Sequence, residues 1–162
     1  MKRIIIIFTL FSLLACKQQT NDLSKLQDRV KILEDKLANT YKPGFGELMS
    51  SVQAHHAKLW FAGTHKNWKL AAFEVHEIVE VLGNIKKYQK DREESQLIDM
   101  MNSSLDSVLL AIKNKETKSF KSSYDLLTTT CNHCHIDTKF EYNIVKIPDI
   151  QYFSNQDFSI RP

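Results

Sequence analysis

A helical period is clearest in the stretch 66–88, which reads KNWKLAAFEVHEIVEVLGNIKKY. Six apolar residues recur in it at steps of three and four: Trp68, Ala72, Val75, Val79, Leu82 and Ile85. Residues at these spacings share one face of an α-helix, while most lysines and glutamates fall on the other. The stretch therefore predicts an amphipathic helix that buries this face.

The same period recurs in three further stretches, near 45–62, 93–114 and 116–138. Their predicted inward residues are Met49, Val52, His56 and Leu59 in the first, Leu97, Met101, Leu105, Val108 and Ile112 in the second, and Phe120, Tyr124, Leu127, Cys131 and Cys134 in the third. With 4 glycines and 3 prolines in 162 residues, few hairpin turns can form. Short loops between long helices force antiparallel neighbours. We therefore predict an all-α fold, with an antiparallel up-down-up-down four-helix bundle over residues 43–140.

The first residues are typical of an export signal. A short basic segment, MKR, precedes an apolar run over 4–14 that is too short to span a bilayer comfortably, which predicts a signal peptide over 1–15. The run ends in LLAC at residues 13–16, which resembles the bacterial lipobox. The resemblance implies that Cys16 is lipidated and anchors the protein on the periplasmic side of a bacterial membrane, with Lys17 favouring the outer membrane. The alternative is an ordinary cleaved signal that happens to end beside a cysteine.

Residues 16–42 are predicted to form a lipid-anchored stalk. Five apolar residues recur there at steps of three and four: Leu23, Leu26, Val30, Leu33 and Leu37. They form the a and d seam of a short coiled-coil-like helix, although the repeat covers only about two and a half heptads. Two interpretations stay open: a solitary amphipathic spacer, or a stalk that self-associates into a homo-oligomer. Pro43 cannot continue the helix and marks the end of this segment.

The tail 141–162 has no clear period and contains Pro148 and Pro162. Four aromatic residues stand in it: Tyr142, Tyr152, Phe153 and Phe158. Aromatic side chains bury large apolar areas when they pack. The tail is therefore predicted to be a C-terminal strap packed on the bundle.

The strongest chemical signal is the sequence CNHCH at residues 131–135, which matches the haem attachment pattern Cys-x-x-Cys-His. Thiols one helical turn apart, at Cys131 and Cys134, can each add to a haem vinyl group, and His135 then meets the iron from one side. A thioredoxin-type redox pair would need a βαβ setting, and a zinc site would need four ligands, often as a second Cys or His pair. The motif therefore predicts one covalent haem c per chain, with His135 as the proximal iron ligand.

A helical bundle with this motif near the end of its fourth helix resembles cytochrome c′. The similarity covers about residues 45–138 in architecture and one motif in sequence. The blocks GELM at 46–49, HAKLWFAG at 56–63 and FSNQDF at 153–158 resemble those of a group of exported bacterial haem lipoproteins. The resemblance implies a haem-binding bundle and supplies no reaction.

The sixth iron ligand decides what such a haem can do. At about 1.5 Å per residue, Met49 lies roughly 21 Å and His56 roughly 10 Å from the turn at Gly63, whereas His135 lies roughly 28 Å from that end of the bundle. Met49 is thus nearest to the haem level, and the four-helix b-type cytochromes, which the arrangement also resembles, use an early methionine. His56 is the second candidate and Met101 the third. A vacant site, or a core role for each of these side chains, also stays open.

Two functions follow from these alternatives. A haem with histidine and methionine ligands is typical of electron carriers, whereas an open iron site favours small gases. The leading hypothesis is a membrane-tethered cytochrome that transfers one electron to redox partner proteins in the periplasm; the second is binding or buffering of NO or CO at a five-coordinate haem. An accessory haem subunit of a larger complex is a third. We find no acid–base pair or nucleophile pattern that predicts an enzyme, and the mild, dispersed charge of +3 does not favour nucleic acid.

Overall fold

The computed structural model describes residues 22–37, 40 and 42–160. The predicted signal peptide and Cys16 lie outside these residues, as do Arg161 and Pro162. Within the described ranges the chain forms helices, turns and irregular segments, without a β-strand. The predicted all-α class is therefore confirmed.

The chain divides into two compact units between Lys42 and Pro43. In the first unit, helix α1 spans residues 22–37. All five seam side chains of α1 are exposed, from 46% at Val30 to 74% at Leu37. The seam is therefore available to a partner, and self-association of this helix stays a prediction.

Residues 43–160 of the second unit form five α-helices and a 3₁₀ turn. The helices are α2 (Phe45–Thr64), α3 (Trp68–Tyr88), α4 (Glu93–Gln96), α5 (Asn102–Lys113) and α6 (Thr117–Asp137), and the 3₁₀ turn spans Ile98–Met101. The start of α3 has a local cause, since the side chain of Asn67 accepts a hydrogen bond from the Leu70 N–H at 3.2 Å. Three of the four predicted stretches match a single helix to within a few residues.

The third predicted stretch, 93–114, is not one helix. It is divided into α4, the 3₁₀ turn and α5. The Ser95 hydroxyl donates to the Gln89 carbonyl at 2.7 Å, and the Gln96 amide donates to the Lys90 carbonyl at 2.8 Å. Side chains that bond to backbone carbonyls outside the helix compete with its regular pattern. The chain passes through the tighter 3₁₀ turn before α5 begins.

The core lies between the long helices: α2 packs mainly against α3, α5 mainly against α6, and further contacts join α3 to α5 and α2 to α6. One predicted inward residue is wrong, because Val79 is 46% exposed whereas Ile78 is 1% exposed. The buried stripe of α3 runs through Val75, Ile78 and Leu82. Positions 78 and 79 both fit a step of three or four from Val75, so the period alone could not choose between them.

The close contact between α2 and α6 at Gly63 leads to a stability prediction. A Cβ atom at Gly63 would lie 2.1 Å from Cζ of Phe120, whose ring is fully buried near Trp60 and Trp68. Since that fully buried ring must shift to admit the new methyl group, we expect Gly63→Ala to lower the free energy of unfolding by about 2 kcal/mol or more. Urea unfolding followed by circular dichroism measures this change.

Gly83→Ala is the matched control for that prediction. Gly83 lies in α3 and is exposed, and a Cβ atom there would meet nothing within 4 Å. Alanine is the better helix former, so this variant should gain about 1 kcal/mol. A Gly63→Ala protein as stable as Gly83→Ala would contradict the close contact with Phe120.

Candidate functional site

An open pocket lies beside the last turns of α6 and encloses about 750 Å³, with the solvent at its mouth included. Five of the residues predicted from the sequence line it: Met49, Met101, Cys131, Cys134 and His135. Most of the remaining wall is apolar, with Phe45, Val52, Leu82, Ile98 and Phe140. The fold thus brings the motif into one pocket with Met49 and Met101, the first and third candidates for the sixth iron ligand.

Helix α6 places the two cysteines. They stand one turn apart on it, and both are free, partly buried thiols that line the pocket. Burial raises the pKa of Cys131 to about 12, with a further contribution from the neighbouring Cys134. Burial also raises the pKa of Cys134, with smaller contributions from the charges of Asp137 and Glu94. Reactive cysteine pairs of the thioredoxin kind have a lowered pKa, so this environment differs from theirs.

The end of α6 turns the chain back toward its own last turn. Lys139 adopts the left-handed conformation with φ of 64°. The Phe140 N–H donates to the His135 carbonyl at 2.7 Å and the Lys139 N–H to the Ile136 carbonyl at 3.1 Å, which is the bonding of a Schellman cap. The residues that follow therefore run alongside the motif.

A residue of this returning segment forms a hydrogen bond with the ring of His135. The ring nitrogen Nδ1 of His135 lies 2.5 Å from the carbonyl oxygen of Asn143. A carbonyl oxygen can only accept, so Nδ1 holds the proton and donates it. In the neutral form of the ring, the other nitrogen, Nε2, then carries a free lone pair. Metal-binding histidines in proteins almost always show this arrangement, in which the second ring N–H is bonded to a carbonyl or carboxylate.

The two methionines approach the pocket from different elements. Met49 belongs to α2 and is partly buried, and Met101 ends the 3₁₀ turn and is buried. Both line the same pocket as His135, and Met49 and His135 also line a smaller adjoining pocket. The ranking of Met49 above Met101 as an iron ligand stays a prediction.

His56 lies at the adjoining pocket, but its ring is already engaged. Its Nε2 is 3.0 Å from the Thr128 hydroxyl oxygen, and its Nδ1 is 2.9 Å from the Tyr124 hydroxyl oxygen. The Tyr124 hydroxyl also donates to the His56 carbonyl at 2.8 Å. Binding a metal through either nitrogen would break one of these buried hydrogen bonds. The geometry favours His56 as a hydrogen-bonded core residue.

Comparison with protein-family models, with curated proteins and with solved structures finds no match to this chain. What the site does must therefore be inferred from its own residues. In the part of the chain that the structure describes, no helix is long and apolar enough to cross a membrane, and no three His, Cys, Asp or Glu side chains cluster as a metal site. A haem iron takes as few as one protein ligand, so it does not require such a cluster.

Burial of His56 leads to a pH prediction. Desolvation lowers the pKa of His56 from 6.5 to about 4. Between these values the unfolded chain binds a proton that the folded chain does not, so stability is lost as pH falls from about 6.5 to about 4. We expect wild type to lose about 2 kcal/mol between pH 7 and pH 5 through this residue. Urea unfolding at several pH values measures the slope.

Two variants isolate the contribution of His56. His56→Gln should be less stable at pH 7, because buried hydrogen bonds are disturbed, but its stability should fall less steeply toward pH 5. His76→Gln is the control, since His76 is exposed on α3 and should leave the slope unchanged. Equal slopes in wild type and His56→Gln would show that His56 is not the residue responsible.

Several polar residues of this unit were missed from the sequence. The Nδ1 of His55 lies 2.7 Å from the carboxylate of Glu74, which is almost fully buried in α3. Glu94 lines the pocket, and its hydrogen bond with Arg92 lowers the pKa of its carboxyl group. Asn143 contributes to the site through its backbone carbonyl. A backbone contact leaves no signal in residue type, so this contact could not be predicted from the sequence.

Of the four aromatic residues in the predicted strap, two pack against the helices and two are exposed. Phe158 is buried with its ring 5.7 Å from that of Phe61, and Phe153 is partly buried beneath the ammonium group of Lys58. Tyr142 and Tyr152, in contrast, are exposed. The segment is held on the helices by its phenylalanines and by hydrogen bonds between its backbone and the side chains of Asn67 and Asn132. Tyrosine can remain at the surface with its hydroxyl in water.

Proposed function

We propose that residues 43–160 form a c-type haem domain and that the chain is a membrane-tethered monohaem cytochrome that transfers single electrons. The observation that supports this most directly is the hydrogen bond of the His135 ring to the returning segment. Its Nδ1 donates to the Asn143 carbonyl, which leaves Nε2 free beside two free cysteine thiols in an apolar pocket. This donor set fits a haem held by two thioether bonds and one imidazole.

The residues that would hold the group have separate tasks. The S–H groups of Cys131 and Cys134 would each add across a vinyl double bond, which forms a C–S and a C–H bond and needs no oxidant. His135 would provide the proximal nitrogen, and the Asn143 carbonyl would keep that ring in one tautomer. When bound, the haem supplies an iron that takes up and releases one electron. The apolar wall would exclude water and so tune the reduction potential.

The helix contacts support the finer architecture that we infer, an up-down-up-down four-helix bundle. Only residues 65–67 separate α2 from α3, and only residues 114–116 separate α5 from α6. Connections this short favour antiparallel neighbours, and α2 with α3 and α5 with α6 are the most extensive pairs. In this arrangement α4, the 3₁₀ turn and α5 together take the place of the third helix of the bundle.

The cellular setting rests on the sequence alone. We infer that residues 1–15 direct export, that a lipid on Cys16 anchors the chain on the periplasmic side, and that residues 16–42 hold the haem domain away from the membrane. Several acyl chains on one cysteine give durable anchoring. Redox proteins in the periplasm are the partners that this position makes accessible. The chain itself is proposed to pass electrons and to turn over no substrate.

A second function, binding of a small gas such as NO or CO, has support from the pocket. The space beside Met49 continues into the adjoining pocket, which reaches His56. Room on that side would suit a five-coordinate haem with a removable or absent methionine ligand. The resemblance to cytochrome c′ points in the same direction.

Expression of the full chain in a host with c-type cytochrome maturation tests the proposal. We expect purified protein to contain one haem per chain that remains attached through denaturing electrophoresis. The reduced and oxidised visible spectra then report the spin state of the iron. His133→Ala is a suitable reference variant, because His133 is exposed within the motif and should not affect attachment. A haem-free protein from a competent host would exclude the proposed function.

A further inference from the structure

The returning C-terminal segment is fastened to the motif by Asn132. The Asn132 Nδ2 donates to the Val145 carbonyl oxygen at 2.9 Å, and the Asn132 Oδ1 accepts from the Val145 N–H at 2.8 Å. A side-chain amide that bonds both backbone groups of one residue fixes its position and its orientation. Asn132 therefore holds Val145 against α6.

The same segment provides the partner of His135. The carbonyl of Asn143, two residues before Val145, accepts from His135 Nδ1. Asn132 and His135 are three residues apart on α6, so their side chains emerge one above the other on the helix. Asn132 and His135 are thus neighbours on α6, and their partners, Val145 and Asn143, are close together on the segment. A displacement of Val145 would move the Asn143 carbonyl away from His135.

We propose that Asn132 is a positioning residue for the iron ligand, and this inference rests on the proposed haem function. Cys131, Cys134 and His135 have direct tasks, whereas Asn132 acts through residues 143–145. Its amide holds these residues so that the Asn143 carbonyl keeps its hydrogen bond to Nδ1. That bond makes Nε2 a stronger donor toward a metal. The C-terminal segment is therefore part of the haem site, in addition to covering the helices.

A stronger nitrogen donor stabilises the ferric more than the ferrous state. Loss of the bond between Nδ1 and Asn143 should consequently raise the reduction potential. A purely structural clamp would instead lower the stability of the segment and leave the potential unchanged. The potential therefore distinguishes positioning of His135 from simple fastening.

Asn132→Ala and Asn132→Ser test the inference in the haem-loaded full chain in detergent. Neither short side chain can bond both backbone groups of Val145. We expect both variants to retain covalent haem, to show an upward shift in midpoint potential, and to exchange the Val145 amide proton about tenfold faster than wild type. His133→Ala, at the other middle position of the motif, should match wild type in all three measurements. Spectroelectrochemical titration and hydrogen exchange by NMR provide the readings.

The outcomes separate this inference from the proposed function. Haem-loaded Asn132 variants with the wild-type potential would overturn the positioning role, even if the Val145 amide exchanged faster. An upward shift equal to that of His133→Ala would overturn it as well. A wild-type chain without haem would overturn the proposed function, and the positioning role with it, while amide exchange would still report whether Asn132 holds Val145.

Discussion

Replacing both Cys131 and Cys134 by serine is expected to abolish covalently bound haem. Serine keeps the size and polarity of the side chain, but its hydroxyl does not add to a vinyl group as a thiol does. Both thiols are free and line the pocket together with His135, so each can reach a group bound there. Haem staining after denaturing electrophoresis should change from a strong band to none.

Single replacements give a graded result that the double variant cannot. Either Cys131→Ser or Cys134→Ser leaves one thiol, which should form one thioether bond and lower the yield of stained protein without removing it. His133→Ala, which leaves both thiols and His135 intact, controls for a change within the motif. A stained band of wild-type intensity in the double variant would mean that other groups retain the haem, and the proposed attachment would then be wrong.

The sequence predicted the long helices well because their burial is one-sided. In α2, α3 and α6 the apolar residues recur with a clear period. The turn between the first two was predicted at Gly63 to His65, and α2 ends at Thr64. The motif and Met49 could also be assigned to one site, because helix order and a fixed rise per residue determine which levels meet. Apolar periodicity and spacing are enough for this part of the structure.

Other features depend on interactions that periodicity does not encode. The break before α5 arises where Ser95 and Gln96 bond to the preceding loop, although the apolar period continues through it. Glu74 is buried in α3 because His55 of α2 pairs with it, and a glutamate normally predicts an exposed position. The His135 partner is a backbone carbonyl that reaches the ring only after the chain reverses at Lys139. To predict each of these features, one must already know where the interacting residue lies in the folded chain.

Met49→Ala is expected to change the iron site most among the distal variants. If Met49 is the sixth ligand, wild-type ferric protein shows the weak far-red band of a methionine sulfur on haem iron, and the variant lacks it. The variant should also have a lower midpoint potential, because the thioether raises it. It should bind carbon monoxide where wild type binds none, since the iron site is open. Visible spectra in both redox states, with and without the gas, measure all three.

Met101→Ala is the matched control, because Met101 lines the same pocket but belongs to the 3₁₀ turn, whereas Met49 belongs to α2. It is buried, so its loss should cost about 2–5 kcal/mol of stability while the far-red band remains. Met49→Leu separates shape from ligation: leucine nearly preserves the volume of methionine but has no sulfur to bind iron. Loss of the band in Met49→Leu as well as in Met49→Ala would identify the sulfur itself.

The remaining outcomes choose between the two functions. Loss of the band in Met101→Ala alone would make Met101 the ligand and the preference for Met49 wrong. A wild-type protein that is high-spin and binds carbon monoxide freely would make Met49 a lid over an open site, and gas binding would become the leading function. A low-spin spectrum without the band, opened only by His56→Ala, would mean that His56 gives up a buried hydrogen bond to bind iron. That last result is the least expected, because both ring nitrogens of His56 already have partners in Thr128 and Tyr124.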